Sequence, residues 1–178
     1  MREAALEERS PFMLKGRELM GLPVINRLTG QEIGMAEDLY LKLKEKKVTG
    51  LSVRSGNWLT SCQVVPLENV YQVGTDAVLI NPMEEDNPPQ EKELPYPSED
   101  NTCGVKELKG LPVISTGGND LGTVEDVLLN LPEGKILGWE LSDGLVQDLV
   151  DGRKFLPGGS VLLYGPDRFI VQEGGWQG

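Results

Sequence analysis

Gly21-Leu22-Pro23-Val24-Ile25 returns as Gly110-Leu111-Pro112-Val113-Ile114, 89 positions further on. Working outward, the matches continue in order. Ile33-Gly34-x-x-Glu37-Asp38-Leu39 returns as Leu121-Gly122-x-x-Glu125-Asp126-Val127, and Thr49-Gly50-Leu51 as Leu137-Gly138-Trp139. Val73-Gly74-x-Asp76 returns as Tyr164-Gly165-x-Asp167, and Pro66 as Pro157. The offsets drift only from 88 to 91, which small loop insertions explain. The chain is two copies of one unit.

Each copy reads as short strands between turn signals. In the first copy these are Leu39–Leu43, Val48–Val53, Gln63–Pro66 and Ala77–Ile80. In the second they are Val124–Leu131, Ile136–Leu141, Ser160–Tyr164 and Arg168–Gln172. Gly34 and Gly122 open a strand where a bulge or close approach is expected. Gly74 and Gly165 turn the chain into the last strand. About six strands in so small a unit predict an all-β fold. We expect two small antiparallel β-barrels in tandem, closed or partly open, with closure hiding the sheet edges. The second copy carries a longer segment, 142–152, with Leu145, Val146, Leu149 and Val150 at helical spacing. It predicts a short helix over one barrel end, with Asp143 near its start and Gly152 past its end, as a packing lid or a partner gate.

The expected division is a tail (1–12), a first domain (13–81), a linker (82–103), a second domain (104–173) and a glycine-rich tail (174–178). Between the copies, residues 81–102 hold five prolines and seven carboxylates against Lys92 alone. Proline density and like charge favour an extended, solvated connector. A docking strip for a basic or proline-reading partner is the other reading of that segment. Residues 1–81 are electrically neutral, whereas 103–178 carry a net charge of −5, so the two copies present different surfaces.

Composition narrows the chemistry. The 178 residues include no histidine. That removes Ser-His-Asp and Cys-His hydrolysis, His-ligated zinc and haem, and imidazole acid–base catalysis. The net charge of −11 disfavours binding to nucleic-acid phosphates and to anionic membranes, and suits a basic protein partner. Cys62 and Cys103 stand apart without a CxxC, the usage of a reduced cytoplasmic protein. The N-terminal residues lack a signal-peptide core, and no apolar run reaches the roughly 20 residues of a spanning helix. No phosphate-cradling glycine loop is present. Nothing here calls for a catalytic residue, a cofactor or a metal.

The ordered motifs resemble the PRC-barrel family over Leu14–Ile80 and Val105–Val171. They are Gly-Leu-Pro-Val-Ile, Gly-x-x-Glu-Asp, a proline before an apolar strand, and Gly-x-Asp before the last strand. The resemblance implies a small β-barrel. The family takes its name from the cytoplasmic domain of the photosynthetic reaction-centre H subunit. It includes the C-terminal domain of a ribosome-maturation factor, which binds a small-subunit ribosomal protein. Its shared theme is protein–protein contact rather than catalysis, so no catalytic residues carry over. Neither the H subunit's membrane helix nor the maturation factor's N-terminal domain is expected here, and the chain looks most like tandem members.

The expected role is a non-enzymatic adaptor that binds another protein, with a homodimer as a further option. An RNA-processing or ribosome-assembly accessory is the alternative. Trp58, after Gly56-Asn57, suits a hairpin tip, either as an exposed contact anchor or with its ring folded back on the barrel. Trp176 lies in the glycine-rich tail and could dock in trans. Leu145 and Leu149 form the apolar face of the expected helix. Lys42, Lys44, Lys46 and Lys47 form the basic cluster, with Lys42 and Lys44 on one strand face, as a solubilising edge or a phosphate contact. Trp139 is expected in the core. Glu37-Asp38 and Glu125-Asp126 are strand neighbours, expected to point to opposite faces and not to converge. Asp143, Asp148, Asp151 and Glu140 form a looser cluster near Arg153 and Lys154, which ion pairing explains at least as well as metal binding; a metal-dependent activity on these carboxylates is the third reading.

Overall fold

A computed structural model describes residues 13–55, 62–83, 102–143 and 154–174. Its strands are β1 (Met13–Lys15), β2 (Pro23–Asn26), β3 (Glu32–Lys42), β4 (Lys47–Arg54), β5 (Cys62–Pro66), β6 (Val70–Val73) and β7 (Val78–Ile80). The second copy repeats the order as β8 (Thr102–Gly104), β9 (Pro112–Ser115), β10 (Asp120–Asn130), β11 (Lys135–Ser142), β12 (Lys154–Pro157), β13 (Val161–Tyr164) and β14 (Phe169–Val171). One-turn helices α1 (Gly16–Leu19) and α2 (Val105–Leu108) follow β1 and β8. Short 3-10 turns at Leu67–Asn69 and Gly158–Ser160 follow β5 and β12. The helix expected after Asp143, with Leu145 and Leu149, lies outside the described residues.

The chain forms two compact units, and each borrows its leading strand from the other copy. One unit joins residues up to Lys15 with Lys109 onward; the other runs from Gly16 to Leu108. In the second of these, β3 pairs antiparallel with β4 and β2, β4 with β5, and β6 with β7, while β2 and β7 run parallel. The end of β3 pairs with β8, Tyr40 opposite Gly104 and Lys42 opposite Thr102. The other unit repeats this pattern, with β1 on the end of β10, Lys15 opposite Leu128 and Met13 opposite Asn130. The fold is mostly β. Among the described residues, the sheets are not closed by strand pairing. A 3-10 turn stands between β5 and β6 and between β12 and β13.

The strands form where alternating apolar residues face a core. Leu39 and Leu41 on β3, and Val127 and Leu129 on β10, are fully buried or nearly so. The cores differ in chemistry. Trp139 packs edge-on against Phe169 and Tyr164 at centroid distances of 5.3 and 6.2 Å. The same places in the first copy hold Leu51, Val78 and Val73. Trp139 is core, as expected, with no exposure.

The repeated glycine before the Glu-Asp pair has a steric reason. Pairing between β2 and β3 slips next to Gly34, and a Cβ there would overlap the Arg54 carbonyl oxygen. Gly122 meets the Ser142 carbonyl in the same way. Because the obstacle is backbone, Gly34→Ala is expected to lower unfolding stability by about 2 kcal/mol. Denaturant unfolding checks this, and an unchanged midpoint would show that the bulge yields freely.

Candidate interaction site

Glu37 is the extra residue of a bulge in β3. Ala36 pairs with Val53 and Asp38 with Ser52, leaving Glu37 unmatched. The bulge breaks the two-residue alternation, and the expectation that Glu37 and Asp38 do not converge is corrected by it. Both carboxylates reach the leading segment of the second copy. Asp38 Oδ1 accepts from the backbone N–H of Leu39 at 2.8 Å, Val105 at 3.0 Å and Lys106 at 3.4 Å. It therefore caps α2 from 67 residues away. Glu37 accepts from Lys106 Nζ at 3.3 Å, from Arg54 Nε at 3.1 Å and from the Cys62 thiol at 3.1 Å. Arg54 Nη2 makes a further charge-assisted contact to Glu37 Oε1.

These side chains border a shallow pocket of about 210 Å³, lined by Glu37, Asp38, Tyr40, Ser52, Gly104 and Lys106, with Glu107. Burial raises the Asp38 carboxyl above its ordinary 3.8, against the lowering by the N–H groups and the Lys106 ammonium. Burial, helped by Glu107 and Asp38, pushes the Cys103 thiol up to about 12. Cys103 is fully buried, so it behaves as a small apolar residue rather than a nucleophile. Among the described residues, no group of three or more His, Cys, Asp or Glu is placed to hold a metal ion.

The second copy repeats the bulge, with Glu125 as its extra residue. Asp126 Oδ1 accepts from Val127 N–H at 2.8 Å, as Asp38 does from Leu39. Here Lys15 pairs with Glu140 at 2.6 Å and Lys109 with Glu125 at 3.4 Å. Asp143 pairs with Lys154 at 2.8 Å as expected, and Glu140 pairs with Lys15. Asp148, Asp151 and Arg153 lie outside the described residues.

Of the candidate contact residues, the structure describes Lys42 and Lys44. Trp58, Leu145, Leu149 and Trp176 lie outside the described residues. Lys42 ends β3, whereas Lys44 stands in the following turn, so the two do not share a strand face. Lys46, the last residue of the turn between β3 and β4, adopts a left-handed φ of 53°. Glu45 sits 3.9 Å from Lys42 and 3.4 Å from Lys47 and offsets part of the cluster's charge. Strict alternation through the pair hides the Glu37–Asp38 site, because the bulge lies in the strand pairing. The signal that marks it is the Gly-x-x-Glu-Asp motif itself, present in both copies.

Among the described residues, no helix is long and apolar enough to cross a membrane. No curated protein matches the chain. The model of the PRC-barrel domain matches twice, over residues 13–87 and 101–175, which together take in most of the sequence. With two such matches, one for each copy of the repeat, the chain belongs to the PRC-barrel domain family.

Proposed function

We propose that the chain is a non-enzymatic, cytoplasmic protein-interaction module whose second copy takes a basic protein segment as an added strand. The carrying observation is β13. Among the described residues it pairs only with β14, and Leu162 and Leu163 are each 57% exposed. The first copy has Tyr71 and Gln72 there, with the Arg27 guanidinium 4.3 Å over the Tyr71 ring. Both are end strands with exposed side chains, and they differ in chemistry: Tyr71 and Gln72 on β6, two leucines on β13. An uncovered edge with apolar side chains favours strand addition. The −5 charge of residues 103–178 favours a basic partner. The free Cys62 and Cys103 suit a reducing compartment.

The test is capture by the tagged full chain from native lysate, with and without nuclease, beside Leu162→Glu/Leu163→Glu. A nuclease-resistant protein partner that the double variant loses supports the reading. Unchanged capture by a folded double variant overturns it. Loss of all partners on nuclease treatment transfers the case to the RNA-linked alternative through Lys42–Lys47.

A further inference from the structure

The two copies treat one place in the fold differently. In the second, Asp126 stands opposite Glu140, and Leu128 opposite Lys15. The Lys15 ammonium meets Glu140 at 2.6 Å, with the two side chains only 23% and 12% exposed. In the first copy the same register sets Asp38 opposite Ser52, and Tyr40 opposite Gly104. Neither member of the ion pair is present there. Glycine stands where the second copy has lysine, and serine where it has glutamate. The hollow of about 210 Å³ has Asp38, Ser52 and Gly104 in its lining. All of its lining residues belong to the unit from Gly16 to Leu108.

The chemistry of the lining suits a cation. It sets the carboxylates of Glu37, Asp38 and Glu107 against the single ammonium of Lys106. Arg54 and Lys106 already engage Glu37. Asp38 keeps more capacity: its Oδ2 accepts from the Lys106 backbone N–H at a long 3.4 Å. That oxygen leans over Gly104, into the space a side chain there would take. Ser52 is the second, independent sign. It is only 5% exposed, and its hydroxyl makes no hydrogen bond to a described residue. A buried hydroxyl without a protein partner is costly unless water or a ligand satisfies it.

From this we infer that the hollow of the first copy binds a primary alkylammonium group, held by Asp38 and Ser52 where the second copy seats the ammonium of its own Lys15. An ammonium carries three donors and no acceptor, which matches a lining of carboxylate and hydroxyl oxygens. The Lys106 side chain is 60% exposed, so it can withdraw to solvent as the ligand enters. The group reaches the hollow either on a lysine side chain of a partner or as a free amine. The site uses no residue of β13, so it stands or falls separately from the function proposed above.

The test titrates the full chain with n-butylammonium chloride and follows the backbone amides by NMR. Sodium chloride at equal ionic strength and n-butanol are the controls. The expected result is saturable shifts at Ser52, Gly104 and Lys106, with a dissociation constant on the order of 1 mM for so small a ligand. Neither control should reproduce them. Ser52→Ala removes one oxygen from the site and should weaken binding about 3- to 10-fold. Ser52→Glu with Gly104→Lys installs the ion pair of the second copy and should abolish binding. Should that double variant fail to fold, Ser52→Ala carries the comparison. No saturable shift with butylammonium, equal shifts with butanol, unchanged affinity in Ser52→Ala, or binding retained by a folded double variant overturns the inference. Nα-acetyl-lysine amide separates the two sources. Tighter binding than butylammonium assigns the site to a partner's lysine, and weaker binding assigns it to a free amine.

Discussion

Trp139→Ala should lower unfolding stability by about 3–5 kcal/mol, the range for deleting a fully buried large aromatic. Trp139 has no exposure and makes edge contacts with both Phe169 and Tyr164. Such ring pairs contribute roughly 0.5–1.5 kcal/mol each beyond area burial. The matching first-copy trio of Leu51, Val73 and Val78 has no such ring cluster, so Leu51→Ala should cost less, about 2–4 kcal/mol. Trp139→Phe is a useful companion. The indole N–H is buried without a hydrogen-bond partner among the described residues, and Phe removes that donor while retaining a ring. Its cost should stay under about 1.5 kcal/mol. Denaturant unfolding followed by near-ultraviolet circular dichroism reads all three. A loss under 1 kcal/mol for Trp139→Ala would show that the aromatic cluster is not the organising core of that unit.

Asp38→Ala should cost roughly 2–3 kcal/mol, because it strips an acceptor from the N–H groups of Leu39, Val105 and Lys106. Asp38→Asn keeps one oxygen and should cost about 1 kcal/mol at neutral pH. Its amide nitrogen would face the Lys106 N–H that Asp38 Oδ2 now accepts at 3.4 Å. The two variants also separate charge from shape. Burial holds the folded-state carboxyl above 3.8, so the native state binds its proton more tightly than the unfolded chain does. The associated stability is fully present below the ordinary value and is lost as pH rises through the raised one. Relative to Asp38→Asn, the unaltered protein should therefore lose stability as pH climbs from below 3.8 through that window. Parallel stability curves for the two proteins between pH 3 and 7 would remove the buried-carboxylate account.

Both experiments probe features with different visibility in the amino-acid sequence. The repeat, the glycine turns and the apolar alternation announce two β units, because turn chemistry and side-chain periodicity are local properties. Trp139 as core and Gly34 beside a bulge follow from the same local rules. The Glu37–Asp38 site does not. A bulge is a mismatch between two strands, and its effect on Asp38 appears only when Val105 and Lys106 arrive from far along the chain.

The sequence by itself determined that two homologous β units exist, that imidazole chemistry is absent, and that the second copy carries the greater negative charge. Only the tertiary structure decided which leading strand belongs to which unit. The two segments have similar local patterns, and their difference lies in one steric and one electrostatic pairing: Gly104 against Asp38, and Lys15 against Glu140. Complementarity between distant residues is a property of the assembled contact, and neither partner displays it alone.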